Sequence, residues 1–132
     1  MNPALPDILI SQAVALAQAT PSEAGGEYLA ARMRIIATLA VLAVQEAERG
    51  VAARIWENRA IAALLARVEG GEAAEPQDLS WRALDEANAG LRRRLITLHE
   101  AAETRDDRAL QAEILELYRQ MAEARRLVLP PG

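Results

Sequence analysis

One stretch of the chain, residues 27–68, limits most strongly what the protein can fold into. It contains 42 residues with no proline and a single glycine, Gly50. Its apolar residues recur at steps of three and four, the spacing of one helix face. We expect a long helix, continuous or gently kinked, because one glycine costs only about 1 kcal/mol. The alternative is a break at Gly50. The repeating positions are Leu29, Met33, Ile36, Ala40, Val44, Ala47, Val51, Ile55, Asn58, Ala62 and Leu65.

The composition favours an all-α fold. Alanine, the strongest helix former, supplies 29 of 132 residues, whereas aromatic strand formers are few and phenylalanine is absent. A chain of this length predicts one domain, residues 1–132. The absence of cysteine excludes a disulfide framework and any thiolate metal site.

Turn signals divide the remainder into shorter helices. We expect a short N-terminal helix over residues 6–19, and a turn at Gly25 and Gly26 that separates it from the long helix. The alternative is that the long helix already begins at Pro21, since Thr20 and Glu23 have the spacing of a capping box. Residues 69–77 are rich in glutamate and contain glycine and proline, which predicts an acidic loop.

Two strict heptad patterns follow the acidic loop and predict an antiparallel helical hairpin. A turn at residues 104–107 would join the two helices, and one long helix with a stutter is the alternative. We expect the second helix to extend to Leu129. The two patterns comprise Trp81, Leu84, Asn88, Leu91, Leu95, Leu98 and Ala102, then Leu110, Ile114, Leu117, Met121, Ala124 and Val128.

The segment Ile35 to Val44 carries no charge on any side of the long helix. A helix that is apolar all round must be covered all round. A second copy of the chain is the expected cover, which predicts a homodimer or a higher oligomer; the alternative is the central helix of a monomeric bundle. The candidate interface residues are Ile35, Ile36, Leu39, Leu42 and Val44.

The sequence offers little for catalysis, so we expect no enzyme, no cofactor and no metal site. His99 is the single histidine, and we expect it at the surface or flanking a helix seam. No nucleophile elbow, phosphate loop or dinucleotide-binding glycine run occurs. The glutamates, Glu57 among them, lie mostly off the apolar stripes and are expected to be solvated.

Charge and hydropathy argue against nucleic-acid and membrane partners. The net charge is −4, and the only basic cluster, residues 92–94, fans around a helix rather than forming a flat patch. We expect Arg92 and Arg94 to pair with acidic residues of a neighbouring helix. The longest uncharged apolar run is about half the ~20 residues of a membrane span. A cytoplasmic location is the default expectation.

Four polar or aromatic positions stand out on the helices. Trp56 has polar neighbours, so Trp56 and Arg59 form a candidate partner contact; the alternative is a tryptophan at the edge of the core. Asn58 and Asn88 interrupt the apolar seams, which predicts that each serves as a hydrogen-bond or register device.

Together these patterns predict a non-enzymatic helical interaction module that self-associates through apolar helix faces. In size and helix content the chain resembles small acidic export chaperones, and no motif carries a site residue over. That resemblance implies the first alternative, an adaptor that holds an amphipathic segment of a partner. The second alternative is a small-molecule binder with an apolar pocket between helices.

Overall fold

The computed structural model describes residues 5–129, with the side chain of Leu5 left out, and it confirms the all-α prediction. No strand occurs among the described residues. None of the described helices has the length and apolarity needed to cross a membrane. The five helices are α1 (Leu5–Gln18), α2 (Pro21–Ala24), α3 (Glu27–Glu69), α4 (Trp81–Thr104) and α5 (Arg108–Ala124).

The long helix is continuous. α3 passes through Gly50 without a break over its 43 residues, as the uninterrupted apolar spacing predicted. A separate turn precedes it, because Gly25 adopts a left-handed conformation with φ of 86°. Thr20 and Glu23 form the predicted capping box, and it starts the single-turn helix α2 rather than α3.

The described residues form two compact units. Unit 1 contains residues 5–49 with residues 127–129, and unit 2 is Gly50–Arg126. α3 contributes its first half to unit 1 and its second half to unit 2. That the whole chain is one domain stays a prediction.

Unit 1 buries small side chains and exposes large ones. Ala30, Ala37 and Val44 are at most 3% exposed and follow each other at intervals of seven along α3. By contrast, eleven of the sixteen exposed large apolar side chains in the described part of the chain lie in this unit. Of the predicted stripe, Leu29 and Ile36 are exposed. Another member of the stripe, Val44, is buried, so the spacing predicted the helix but not which side of this half is buried. Between Ile35 and Val44 the helix is apolar all round and offers several equivalent faces.

Unit 2 has a conventional leucine-rich core built by the second half of α3 together with α4 and α5. Both predicted heptad seams supply it. The seam residue Ala124 is exposed and is not part of this core. The described buried members are Ile61, Leu64, Leu65, Leu95, Leu98, Ala102, Leu110, Ile114, Leu117 and Met121.

The C-terminal hairpin is confirmed, with a turn rather than a stutter between its helices. Asp106 has a positive φ of 51°, which reverses the chain. Asp107 then caps α5, its carboxylate accepting from the Leu110 amide at 3.1 Å. Ser80 caps α4 in the same way, its hydroxyl accepting from the Ala83 amide at 3.3 Å.

α5 ends earlier than predicted, at Ala124 rather than near Leu129. The amides of Arg125 and Arg126 close the last turn on Met121 and Glu123. Beyond them, Gln45 holds Val128 by two hydrogen bonds: its Nε2 donates to the Val128 carbonyl at 2.7 Å, and its Oε1 accepts from the Val128 amide at 2.9 Å. This clamp competes with continuation of the helix.

Candidate interaction surfaces

The predicted oligomer face lies largely open to solvent. Ile35, Ile36 and Leu39 are 60%, 51% and 59% exposed, and Leu42 is half-buried. Val44 differs from the other four because only 2% of it is exposed and it belongs to the buried row of unit 1. The structure therefore leaves three or four of the five predicted residues available for contact.

Four apolar residues, three exposed and the half-buried Leu42, form a regular row on α3, which we call the exposed seam: Tyr28, Ile35, Leu39 and Leu42. Tyr28, Ile35 and Leu42 each precede a buried residue, Ala30, Ala37 or Val44, by two positions. Two positions correspond to about 200° around a helix. The exposed seam thus lies on the side of α3 opposite its buried row.

The predicted partner contact, Trp56 and Arg59, lies in unit 2. Trp56 is 38% exposed and shares a shallow depression with Ala52, Ile55 and Ala60. The guanidinium of Arg59 is bound to Glu75 of the acidic loop at 2.8 Å. The tryptophan face is accessible, whereas the arginine is already engaged by its own chain.

A cleft of about 640 Å³ lies between α3, α4 and the acidic loop. Small residues, Ala62, Ala66, Ala87 and Gly90, line part of its helical walls. Ion pairs cross its rim: Arg59 with Glu75, and Arg94 of α4 with Glu69 at the end of α3. Its volume falls within the ~300–1,000 Å³ range of small-molecule sites.

A buried charge network joins the three helices of unit 2, and sequence reasoning missed its centre. Glu57 was expected to be solvated, but it is 0% exposed. Its Oε1 accepts from Arg92 at 2.7 Å and from Asn88 at 2.8 Å, and its Oε2 accepts from Arg125 at 2.7 Å. The expectation failed because both arginines come from other helical segments, far away in sequence.

The surroundings of Glu57 keep it ionised. Burial acts to raise the pKa of Glu57, but hydrogen bonds from Asn88, Arg92 and Arg125, together with the positive charge of Arg125, outweigh it and hold that pKa below the ordinary value. A carboxylate in this state is a poor proton acceptor near neutral pH. Its evident role is to hold α3, α4 and the end of α5 together.

The two interrupting asparagines contact each other, which the sequence analysis did not predict. Asn88 donates to the Asn58 side-chain oxygen at 2.8 Å, and Asn58 donates to the Leu84 carbonyl at 3.0 Å. The hydrogen-bond prediction for both residues is confirmed. Two polar interruptions on neighbouring helices were the one signal that could have located the network.

The predicted pairing of Arg92 and Arg94 with acidic residues of a neighbouring helix is confirmed. Arg92 and Arg94 pair with Glu57 and Glu69 of α3, the neighbouring helix. A further arginine, Arg54, binds Asp85 at 2.5 Å and lies over the Trp81 ring at 4.1 Å. These contacts tie α4 to α3 at the start of the hairpin.

His99 lies at the edge of the hairpin. Its ring packs against Tyr118 with centroids 5.6 Å apart, and its Nε2 is 3.7 Å from Glu103. Within residues 5–129, no group of three histidine, aspartate or glutamate side chains is arranged to hold a metal ion.

Comparison with protein-family models, with curated proteins and with solved structures finds no match. The likeness to export chaperones therefore rests on size and helix content alone.

Proposed function

We propose that the protein is a non-enzymatic interaction module that self-associates through the exposed seam of α3. The observation that carries this proposal is the exposure of Ile35 and Leu39, each about 60%, on one side of a helix whose opposite side is already packed. Contiguous apolar surface of this kind is a common mark of interaction sites.

The composition of unit 1 supports the same proposal. Its own interior uses alanines, which allow close packing but remove little apolar area from water, while its large side chains point outward. Burial stabilises by about 25 cal/mol per Å² of apolar surface. Covering the outer surface with a second copy would supply apolar burial that unit 1 lacks by itself.

Sedimentation velocity at about 100 μM protein tests the proposal, with Leu39→Glu as the disrupting variant. We expect a dimer or higher oligomer for the unmodified chain and a monomer for the variant, because dimer formation would bury the new carboxylate. Circular dichroism should stay unchanged, since residue 39 is largely exposed in the single chain.

The matched control is Ile96→Glu, an apolar residue of unit 2 that is 52% exposed. It adds the same charge away from the seam and should leave the oligomer intact. A monomeric unmodified chain would overturn the proposal, and so would equal dissociation by both variants.

A second candidate function, small-molecule binding, is favoured by the cleft beside the acidic loop. Its volume of about 640 Å³ and its alanine-lined walls suit a small apolar ligand. The test is a titration with the fluorescent probe anilinonaphthalene sulfonate, comparing Gly90→Leu with Ala112→Leu. Filling the cleft at residue 90 should weaken probe binding at least tenfold, and the exposed α5 site should have no effect.

A non-enzymatic role is supported by the state of Glu57. It is the only carboxylate among the buried residues of the described chain, and its two oxygens are occupied by three donors. General acid–base catalysis favours a group whose pKa lies near the working pH, whereas the pKa of Glu57 is lowered.

A further inference from the structure

Resting on the proposed self-association, we infer that the second copy pairs with the exposed seam in antiparallel orientation, about a two-fold axis near Leu39. The heptad spacing of the seam supports pairing with a second copy of α3, and the opposite charges seven residues before and after Leu39 support the antiparallel orientation. Each is a property of unit 1 alone.

The spacing of the seam is that of a coiled-coil contact. From Tyr28 the row advances by seven to Ile35, by four to Leu39 and by three to Leu42. Side chains at these steps stay on one line along a slightly supercoiled helix. The matching surface on a partner is another helix with the same repeat, which a second copy of α3 provides.

Two charged residues occupy the remaining heptad positions of this row. Arg32 lies seven residues before Leu39, and Glu46 lies seven residues after it. Arg32 is exposed and its guanidinium carbon lies 5.9 Å from the centre of the Tyr28 ring. Glu46 is half-buried. Arg32 and Glu46 are about 21 Å apart along the helix axis, too far to pair with each other within one chain.

The orientation of the second copy decides which charges meet. In an antiparallel pair centred on Leu39, Arg32 of each copy faces Glu46 of the other, and symmetry makes this contact twice. In a parallel pair, Arg32 faces Arg32 and Glu46 faces Glu46. Opposed like charges select against a wrong pairing, so the charge pattern favours the antiparallel arrangement.

A charge exchange tests this pairing by sedimentation equilibrium. Arg32→Glu and Glu46→Arg alone should each weaken dimerisation at least about tenfold, because each creates two like-charge contacts. The double variant should restore the dimer. In a parallel dimer each single exchange replaces one like-charge contact by another, and neither the loss nor the rescue would appear.

A distance measurement gives an independent answer. Because the chain contains no cysteine, Glu27→Cys introduces a single thiol for a spin label at the exposed start of α3. In an antiparallel dimer the two labels lie about 36 Å apart along the axis, from 12 residues on each side of Leu39 at ~1.5 Å per residue. In a parallel dimer they lie on neighbouring helix starts, about 10 Å between axes.

The outcomes separate the two proposals. A long label distance with rescue by the double exchange supports antiparallel pairing. A dimer with a short label distance, or without rescue, overturns the orientation and leaves self-association standing. A monomeric unmodified chain overturns both.

Discussion

Arg125 and Glu57 are 68 positions apart in the sequence, and the Arg125 Nε donates to the Glu57 Oε2 over 2.7 Å. Arg92 of α4 binds the other carboxylate oxygen. One buried side chain of α3 thus binds both the middle of α4 and the residue that caps the end of α5. These hydrogen bonds hold α3, α4 and the C-terminal end of α5 together within unit 2.

Replacing Glu57 by glutamine should lower the free energy of unfolding by about 3 kcal/mol, the lower end of the range for a broken buried ion pair. The lower end applies because the side chains of Arg92 and Arg125 are 45% and 30% exposed and can reach water. Urea denaturation measures the change. Glu113→Gln, which removes an exposed pair with Arg67, should cost at most about 1 kcal/mol; equal effects would contradict the central role of Glu57.

The stability that Glu57 contributes should disappear at acidic pH. Its pKa is lower in the folded chain than in the unfolded chain, so folding favours the ionised form. The contribution is therefore complete above the unfolded value of about 4.3 and declines as pH falls through the lowered folded value. The difference in unfolding free energy between the unmodified chain and Glu57→Gln should shrink from pH 6 to pH 3. A constant difference would contradict the lowered pKa.

Two adjacent aspartates in the hairpin turn should respond in opposite directions. Asp106 has a φ of 51°, a conformation that glycine adopts without strain. Asp106→Gly should stabilise the chain by roughly 0.5–1 kcal/mol and raise the thermal midpoint, because relief of the left-handed strain, about 1–2 kcal/mol, exceeds the added entropy of glycine in the unfolded chain, about 0.4–1 kcal/mol. Asp107→Ala removes the cap of α5 and should cost about 1 kcal/mol. Thermal denaturation of both variants checks the signs, and a stabilising Asp107→Ala would contradict the cap.

Local signals made much of the fold predictable. Each heptad seam, and each cap at Ser80 and Asp107, depends on residues close together in the sequence. The heptad seams therefore predicted the helical hairpin. The continuity of α3 through Gly50 was predictable for the same reason, since the apolar spacing on both sides has one phase. These features depend on neighbours in sequence, which a pattern can reveal.

Two features depend on distant residues and were not predictable in the same way. Between Ile35 and Val44 every side of α3 is apolar, so periodicity could not show that Ala37 is buried while Ile36 is exposed. A glutamate within an alanine-rich helix looks like a solvated residue, and only the arrival of Arg92 and Arg125 explains why Glu57 is buried. The asparagines at 58 and 88 marked its neighbourhood without identifying it.

Residues 127–129 should detach from α3 when Gln45 is replaced by alanine. Gln45 makes two hydrogen bonds to the backbone of Val128, and its Oε1 also accepts from Arg49 at 2.7 Å. Val128 itself is 59% exposed, so burial contributes little to holding it. We expect the Val128 amide to exchange with deuterium at least about tenfold faster in Gln45→Ala, while global stability falls by only about 1 kcal/mol. Gln120→Ala, which removes an exposed glutamine bonded to Glu116, should leave that exchange rate unchanged; unchanged exchange in Gln45→Ala would contradict the clamp.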